Sequence, residues 1–158
     1  VTGVQTCALP ILIMKIGIGS DHGGFELKEY IKEYLEKEGI EYVDYGTNSS
    51  DSVDYPDYGL KLSTAVVEGE VDKGIAICGT GIGISIACNK VKGIRCALCG
   101  DTYSARMSIE HNNANILALG GRVIGRDLAI EIVNTWLNAK FEGGRHKLRI
   151  DKITDIEG

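Results

Sequence analysis

From Met14 onward, short apolar runs alternate with stretches whose apolar positions recur at helical spacing. Lys15-Ile16-Gly17-Ile18-Gly19 reads as a first strand. Phe25 to Glu38 then carries Leu27, Ile31, Tyr34 and Leu35, an i, i+4, i+7, i+8 face that predicts a helix, and Gly39 stops it. Glu41 to Tyr45 reads as a short second strand, followed by the polar loop Gly46-Thr47-Asn48-Ser49-Ser50-Asp51. Pro56 opens a second helix that runs to about Glu68. Lys73 to Cys78 is a third strand, Ile82 to Lys90 a third helix, Ile94 to Cys99 a fourth strand, and Thr102 to about Asn112 a fourth helix. Ile116 to Leu119 is a fifth strand, and Asp127 to Asn138 a fifth helix with Leu128, Ile132, Val133 and Trp136 facing inward.

Strands alternating with helices predict an α/β domain over residues 14–158. The expected form is a three-layer, doubly wound, Rossmann-like fold with a five-stranded parallel sheet and a C-terminal helical tail. The tail follows Phe141-Glu142-Gly143-Gly144-Arg145; fraying, capping its own domain and reaching to a second subunit are all open to it. Residues 1–13 differ in character from the rest and have no basic segment of the secretory kind. They read as a non-native or disordered lead that starts outside the fold.

Composition narrows the classes. The chain has 158 residues, 44% hydrophobic and 25% charged, so it is neither disordered nor a disulfide-stapled mini-protein. Lys plus Arg is 17 against 22 for Asp plus Glu, and a net charge of −5 argues against a general nucleic-acid binder. No apolar run approaches the roughly 20 residues needed to cross a bilayer. The five cysteines, Cys7, Cys78, Cys88, Cys96 and Cys99, are odd in number and show no framework spacing, which predicts free thiols in a reducing, cytoplasmic setting. Cys88, Cys96 and Cys99 fall inside predicted elements and read as small buried hydrophobes. The three histidines, His22, His111 and His146, show no helical ligand spacing, so neither a metal nor another cofactor is expected.

In parallel α/β sheets ligands bind at the carboxyl ends of strands, near the point where strand order reverses. Ser20-Asp21-His22-Gly23-Gly24 follows the first strand, Gly79-Thr80-Gly81-Ile82-Gly83 the third, and Gly120-Gly121-Arg122 the fifth. The glycine loop is neither a phosphate loop ending in Gly-Lys-Ser/Thr nor a dinucleotide fingerprint. Its backbone N–H groups can converge on an anion, and Cys78 stands at its head, where a helix N-terminus favours thiolate. Asp21-His22 is a compact acid/base pair, although Asp is also a favoured helix cap. Arg145 and Arg149, four apart, form a guanidinium fork suited to phosphate if the tail is helical, and Arg122 is a third anion ligand. His111-Asn112 offers a general acid/base beside an amide donor.

Taken in order, Ser20 to Gly24, Asp54-Tyr55-Pro56, Ile77 to Gly83, His111-Asn112, Gly121-Arg122 and Glu142 to His146 resemble ribose-5-phosphate isomerase type B. The broader family includes galactose-6-phosphate isomerase subunits and an allose-6-phosphate-active member. The resemblance implies a metal-independent aldose–ketose isomerase working through an enediolate. It implies Cys78 as the base, with the N–H groups of Gly79, Thr80, Gly81, Ile82 and Gly83 and the amide of Asn112 around the enediolate oxygens. It implies ring opening by His111 with Asp21, phosphate binding by His22, Arg122, Arg145 and Arg149, and Tyr55 and Thr80 lining the substrate. Some relatives carry a Glu where this chain has Ile84, which cannot ionise. The resemblance further implies a phosphorylated pentose as substrate and a homodimer, in some members a tetramer, with His111, Asn112 and Arg122 facing the partner's glycine loop. A six-carbon aldose phosphate (allose or galactose 6-phosphate) is the alternative substrate. A non-catalytic sugar-phosphate-binding module would have no use for Cys78 or His111.

Overall fold

The computed structural model describes Pro10 and residues 13–158, so Cys7 and nearly all of the lead lie outside the described residues. Its elements include strands β1 (Lys15–Ser20), β2 (Glu41–Asp44), β3 (Lys73–Cys78), β4 (Cys96–Leu98) and β5 (Ile116–Gly120), helices α1 (Phe25–Lys37), α2 (Tyr55–Val67), α3 (Ile82–Cys88), α4 (Thr102–Glu110), α5 (Arg126–Asn138) and α6 (Arg145–Glu157), and a 3-10 turn, His22–Gly24. The five strands form one sheet in the order β2-β1-β3-β5-β4, every pair parallel. Strand order therefore reverses between β1 and β3, and the turns leaving these two strands flank that crevice.

Each strand of such a sheet is buried on both faces, so its side chains divide between two cores. Ile75 and Ile77 of β3, with Leu117 and Leu119 of β5, join Leu27, Ile31 and Leu35 of α1 and Ile132, Val133 and Trp136 of α5. Ala76 and Cys78, with Ile116 and Ala118, face Leu62 of α2 and Ile84 and Cys88 of α3. Cys78 thus points to the α2–α3 side of the sheet.

Two side chains depart from the periodic reading. Leu128 was expected inward but is 38% exposed, while Ala129, Ile132, Val133, Trp136 and Leu137 form the buried stripe. A stripe at i, i+3, i+4, i+7, i+8 starting from Ala129 leaves Leu128 one 100° step outside it. Lys28, beside Leu27, is fully buried. Its Nζ donates to Asp44 Oδ2 at 2.7 Å and to Glu29 Oε2 at 2.9 Å. Asp44 also accepts from Lys32 Nζ and the Gly46 N–H, each at 2.8 Å. Burial alone would push the Asp44 carboxyl up, yet these donors hold it below the usual carboxylate range. The network fixes the end of β2 on α1. The loop beyond then returns to the end of β1, with Ser20 N–H donating to Gly46 O at 2.7 Å and Thr47 N–H to Ser20 O at 2.8 Å.

The tail is helical and docks on its own domain. Glu142 N–H donates to Glu110 O at 3.0 Å, Gly93 N–H donates to Glu157 Oε2 at 3.0 Å, and His146 and Ile150 are buried. Among the described residues no helix is long and apolar enough to cross a membrane.

Candidate active site

Three turns meet at the carboxyl edge of the sheet. Gly121 N–H donates to Cys78 O at 2.8 Å and Arg122 N–H to Gly79 O at 2.9 Å, tying the turn after β5 to the turn after β3. A Cβ at Gly121 would lie 2.7 Å from Gly23 O, so the turn after β1 is packed just as closely. Between β3 and α3 the chain reverses through Gly81 at φ +80, a left-handed conformation that favours glycine. That reversal brings Gly81 N–H to 3.2 Å from Cys78 Sγ. Cys78 is 4% exposed at the base of this loop. Thr80 is exposed, its Oγ1 accepting from Ile82 N–H at 3.1 Å. The Tyr55 ring covers Gly83, where a Cβ would come within 2.6 Å of it.

Asp21 does cap the turn it precedes: Oδ1 accepts from Gly23 N–H at 2.8 Å and Gly24 N–H at 3.2 Å. Both bonds use one oxygen and leave Oδ2 for other work. His22 Nδ1 accepts from Val53 N–H at 3.1 Å, which turns the other ring nitrogen outward and fixes the tautomer. His22, Gly23, Glu26, Ser50, Gly121 and Arg122 line a cavity of about 430 Å³, open to solvent and of a size for a small phosphorylated ligand. Ile84, at the position where some relatives carry a Glu, is fully buried in the second core.

The expectation for Arg122 needs correction. It was expected to face a partner's glycine loop, but its guanidinium lies over Gly79 of its own chain, with Nη1 3.4 Å from where a Gly79 Cβ would stand. The hydrogen bond from its own N–H to Gly79 O brings the two residues together in the same turn.

His111, Asn112, Arg145 and Arg149 lie at the other edge of the sheet. Helix α4 runs antiparallel to the strands, so its C-terminus, His111, sits where the strands begin. There Gly74 N–H at the start of β3 donates to Asn115 O at 2.9 Å, just before β5. A single chain therefore does not bring His111 to Cys78. Asn112 lines a second cavity of about 430 Å³ with Arg95, Cys96, Ile153 and Glu157, distant from the thiol loop. Arg145 and Arg149 are exposed on the first turns of α6.

Folding also assembles a group with no local signal in the sequence. The His111 and His146 rings stack with centroids 4.1 Å apart and planes 11° from parallel. Glu142 Oε1 lies 3.3 Å from His146 Nε2 and 3.9 Å from His111 Nε2. Histidine spacing alone held no ligand set, yet the ligand atoms of these three residues fall within 4.8 Å of one another. Burial, then the charges of His111, Arg145 and Arg149, pull His146 below the ordinary histidine range, against the opposing pull of Glu142. Among the remaining cysteines, burial pushes the Cys99 thiol up to about 11, and a hydrogen bond with Cys88, then burial, pushes Cys96 up, so neither offers a ready thiolate.

A family model described as Ribose/Galactose Isomerase matches residues 16–153. Ribose-5-phosphate isomerase B of Escherichia coli K12 is 53% identical over 143 residues, covering 90% of this chain and 96% of its own. D-erythrulose-4-phosphate isomerase of Pectobacterium atrosepticum is 44% identical over 142 residues, covering 89% and 93%. The solved structure of Clostridium thermocellum ribose-5-phosphate isomerase B is 64% identical with a TM-score of 0.90, over 91% of this chain and 97% of that one.

Proposed function

The chain belongs to the ribose/galactose isomerase family, and from that premise we propose that it interconverts D-ribose 5-phosphate and D-ribulose 5-phosphate through an enediolate, with Cys78 as the base. The observation that carries this reading is the thiol at the end of β3 with Gly81 N–H aimed at its sulfur, next to turns that carry His22 and Arg122. An N–H dipole on the sulfur is the arrangement that a developing negative charge there needs.

The opened aldose presents a C2–H to the thiolate. Sulfur takes that proton, the C2 electron pair becomes the C1–C2 double bond of the enediolate, and the charge rests on oxygen. Return of the proton to C1, with a proton moving from the C2 hydroxyl to O1, gives the ketose. Free N–H groups of the Gly79–Gly83 loop stabilise the oxyanion, while His22 and Arg122 hold the phosphate. Ring opening is the work of His111, protonating the ring oxygen while Asp21 Oδ2 draws on the anomeric hydroxyl. His111 and Asn112 stand at the far edge of their own sheet, so this reading needs a second copy of the chain. A homodimer in which one copy's α4 terminus and Arg145–Arg149 fork close the other's thiol loop completes the site.

Cys78→Ala is the test. Ketose formation from ribose 5-phosphate is expected to fall by about 10²–10⁴, the usual worth of a positioned acid/base group, while binding of the sugar phosphate persists. Turnover within about threefold of wild type would remove the thiolate from the mechanism. The relative named for erythrulose 4-phosphate extends the substrate panel to four carbons, beside allose 6-phosphate and galactose 6-phosphate. A higher kcat/KM on any of these than on ribose 5-phosphate reassigns the substrate and leaves the chemistry intact.

A further inference from the structure

The cluster of titratable side chains at the far edge of the sheet has no part in the chemistry of the thiol. His111 closes α4, its own N–H donating to Met107 O at 2.8 Å. Glu142 N–H donates to the carbonyl of Glu110, at 3.0 Å, so the residue that opens the tail is bonded to the residue preceding His111. Gly143 and Gly144, at φ +71 and +57, then turn the chain so that α6 starts against α4. His146, 5% exposed, lies under His111, and its Nε2 is buried with no hydrogen bond.

We propose that His146 and Glu142 are positioning residues for ring opening: the buried His146 ring fixes the plane of His111, and the Glu142 carboxylate, 3.3 Å from His146 Nε2 and 3.9 Å from His111 Nε2, holds the edges of both rings at the end of α4. This rests on the ring-opening role proposed for His111. One carboxylate oxygen beside the Nε2 of both stacked rings offers each an acceptor and ties the pair to one orientation. His146 is the one walled off from water and flanked by Arg145 and Arg149, which favours its neutral form, while the His111 side chain is 38% exposed and open to a substrate. A flat neutral ring then covers one face of His111 and leaves its edge free for a substrate oxygen. The stack argues against reading the cluster as a metal site. In-plane lone pairs of two nearly parallel rings 4.1 Å apart do not converge, whereas a bound zinc needs both nitrogens at about 2.0–2.1 Å.

The chemistry of the two sugars supplies the test. Ribose 5-phosphate is mostly a closed furanose, whereas ribulose 5-phosphate has its C5 hydroxyl blocked by phosphate and stays open. A defect confined to ring opening slows the aldose-to-ketose direction and spares the initial rate from the ketose, whose aldehyde product closes unaided in solution. Glu142→Gln and His146→Leu are expected to lower kcat from ribose 5-phosphate about tenfold, with rates from ribulose 5-phosphate within about twofold of wild type. His146→Phe, which keeps a flat ring, is expected to recover most of the loss. Parallel loss in both directions, or no loss in either, overturns the proposal. Glu142 is exposed, so its variant reads out even where a change at buried His146 disturbs folding. His111→Asn separates the two readings. An asymmetric loss there without one in Glu142→Gln and His146→Leu refutes the positioning role alone, and no asymmetry in His111→Asn refutes the role of His111 itself.

Discussion

Cys78 and His111 sit at opposite edges of one sheet, and that placement makes the two-chain site testable without any structure of the assembly. Gly74 pairs with Ile116 at the edge where His111 lies and Cys78 with Gly120 at the carboxyl edge. Four residues of strand separate the two, roughly 13 Å at about 3.3 Å per residue. His111 lies further back still, while two groups acting on one sugar must each come within about 3 Å of it. Within one chain that gap does not close. Cys78→Ala and His111→Asn should therefore complement each other. Mixed at equal amounts and allowed to exchange subunits, they form about half hybrids, each with one doubly damaged site and one whole site. Activity on ribose 5-phosphate should rise to about a quarter of wild type above a low parental background. Separate refolding of each variant before mixing is the control. A mixture whose rate equals the mean of its two parents after complete exchange would refute the two-chain site.

Three further outcomes follow from the packing. Asp44→Asn strands the fully buried Lys28 ammonium with only Glu29, and should cost about 3 kcal/mol in denaturant unfolding, whereas Lys28→Met should cost less than about 1 kcal/mol. Because the Asp44 carboxyl is held below its usual range, its contribution is present above about pH 4 and fades as pH falls through the lowered value, so the gap to Asp44→Asn should close in acid. Burial brings the Lys73 ammonium down to about 8, against a smaller opposing pull from Asp72; the unfolded chain holds that proton more firmly between about pH 8 and 10.5, so wild type gains stability over this window. Lys73→Met should therefore be the more stable protein at pH 7 by about 1 kcal/mol, with its advantage lost by pH 10; an advantage that grows with pH contradicts the assignment. Gly81→Ala must hold φ +80 and place a methyl 2.6 Å from Leu98 Cδ1 and 2.8 Å from the Leu119 carbonyl carbon. It should cost about 2 kcal/mol and disturb the Cys78 loop enough to lower kcat by about tenfold, read in the same isomerase assay.

What the sequence reveals here depends on how local each signal is. Buried parallel strands and amphipathic helices declare themselves in windows of three to thirteen residues, and every predicted boundary falls within two residues of the structure. Cys78 and its glycine loop are contiguous, so the thiol's place at a strand end is readable. Asp21 shows the limit of a local signal, since the same residue serves as a cap through Oδ1 and leaves Oδ2 out of both capping bonds. Lys28 breaks the apolar pattern because its partner Asp44 arrives from another element. The stack of His146 on His111 is beyond any spacing argument, being made by a tail that returns to α4 through Glu142. Arg122 was assigned to the wrong chain for a related reason: its residue type announces an anion ligand, whereas its backbone bond to Gly79 exists only in the folded turn.

The division of the chemistry between two edges follows from the fold itself. Strands of a parallel sheet end on one side, and the turns leaving them offer N–H groups to an anion, which is where the thiol, His22 and Arg122 collect. The crossover helices run back, so each ends on the opposite side with its carbonyls exposed, and a helix C-terminus is where an imidazolium is electrostatically favoured. The thiol thus stands at a strand end and the imidazole at a helix end, and the same geometry keeps them apart. The proposed reading, which needs both on one small substrate, therefore takes one of them from another copy. The docked tail fits that demand: by bonding Glu142 to α4 it gathers His111, His146 and the Arg145–Arg149 fork at one edge, ready to be presented as a unit.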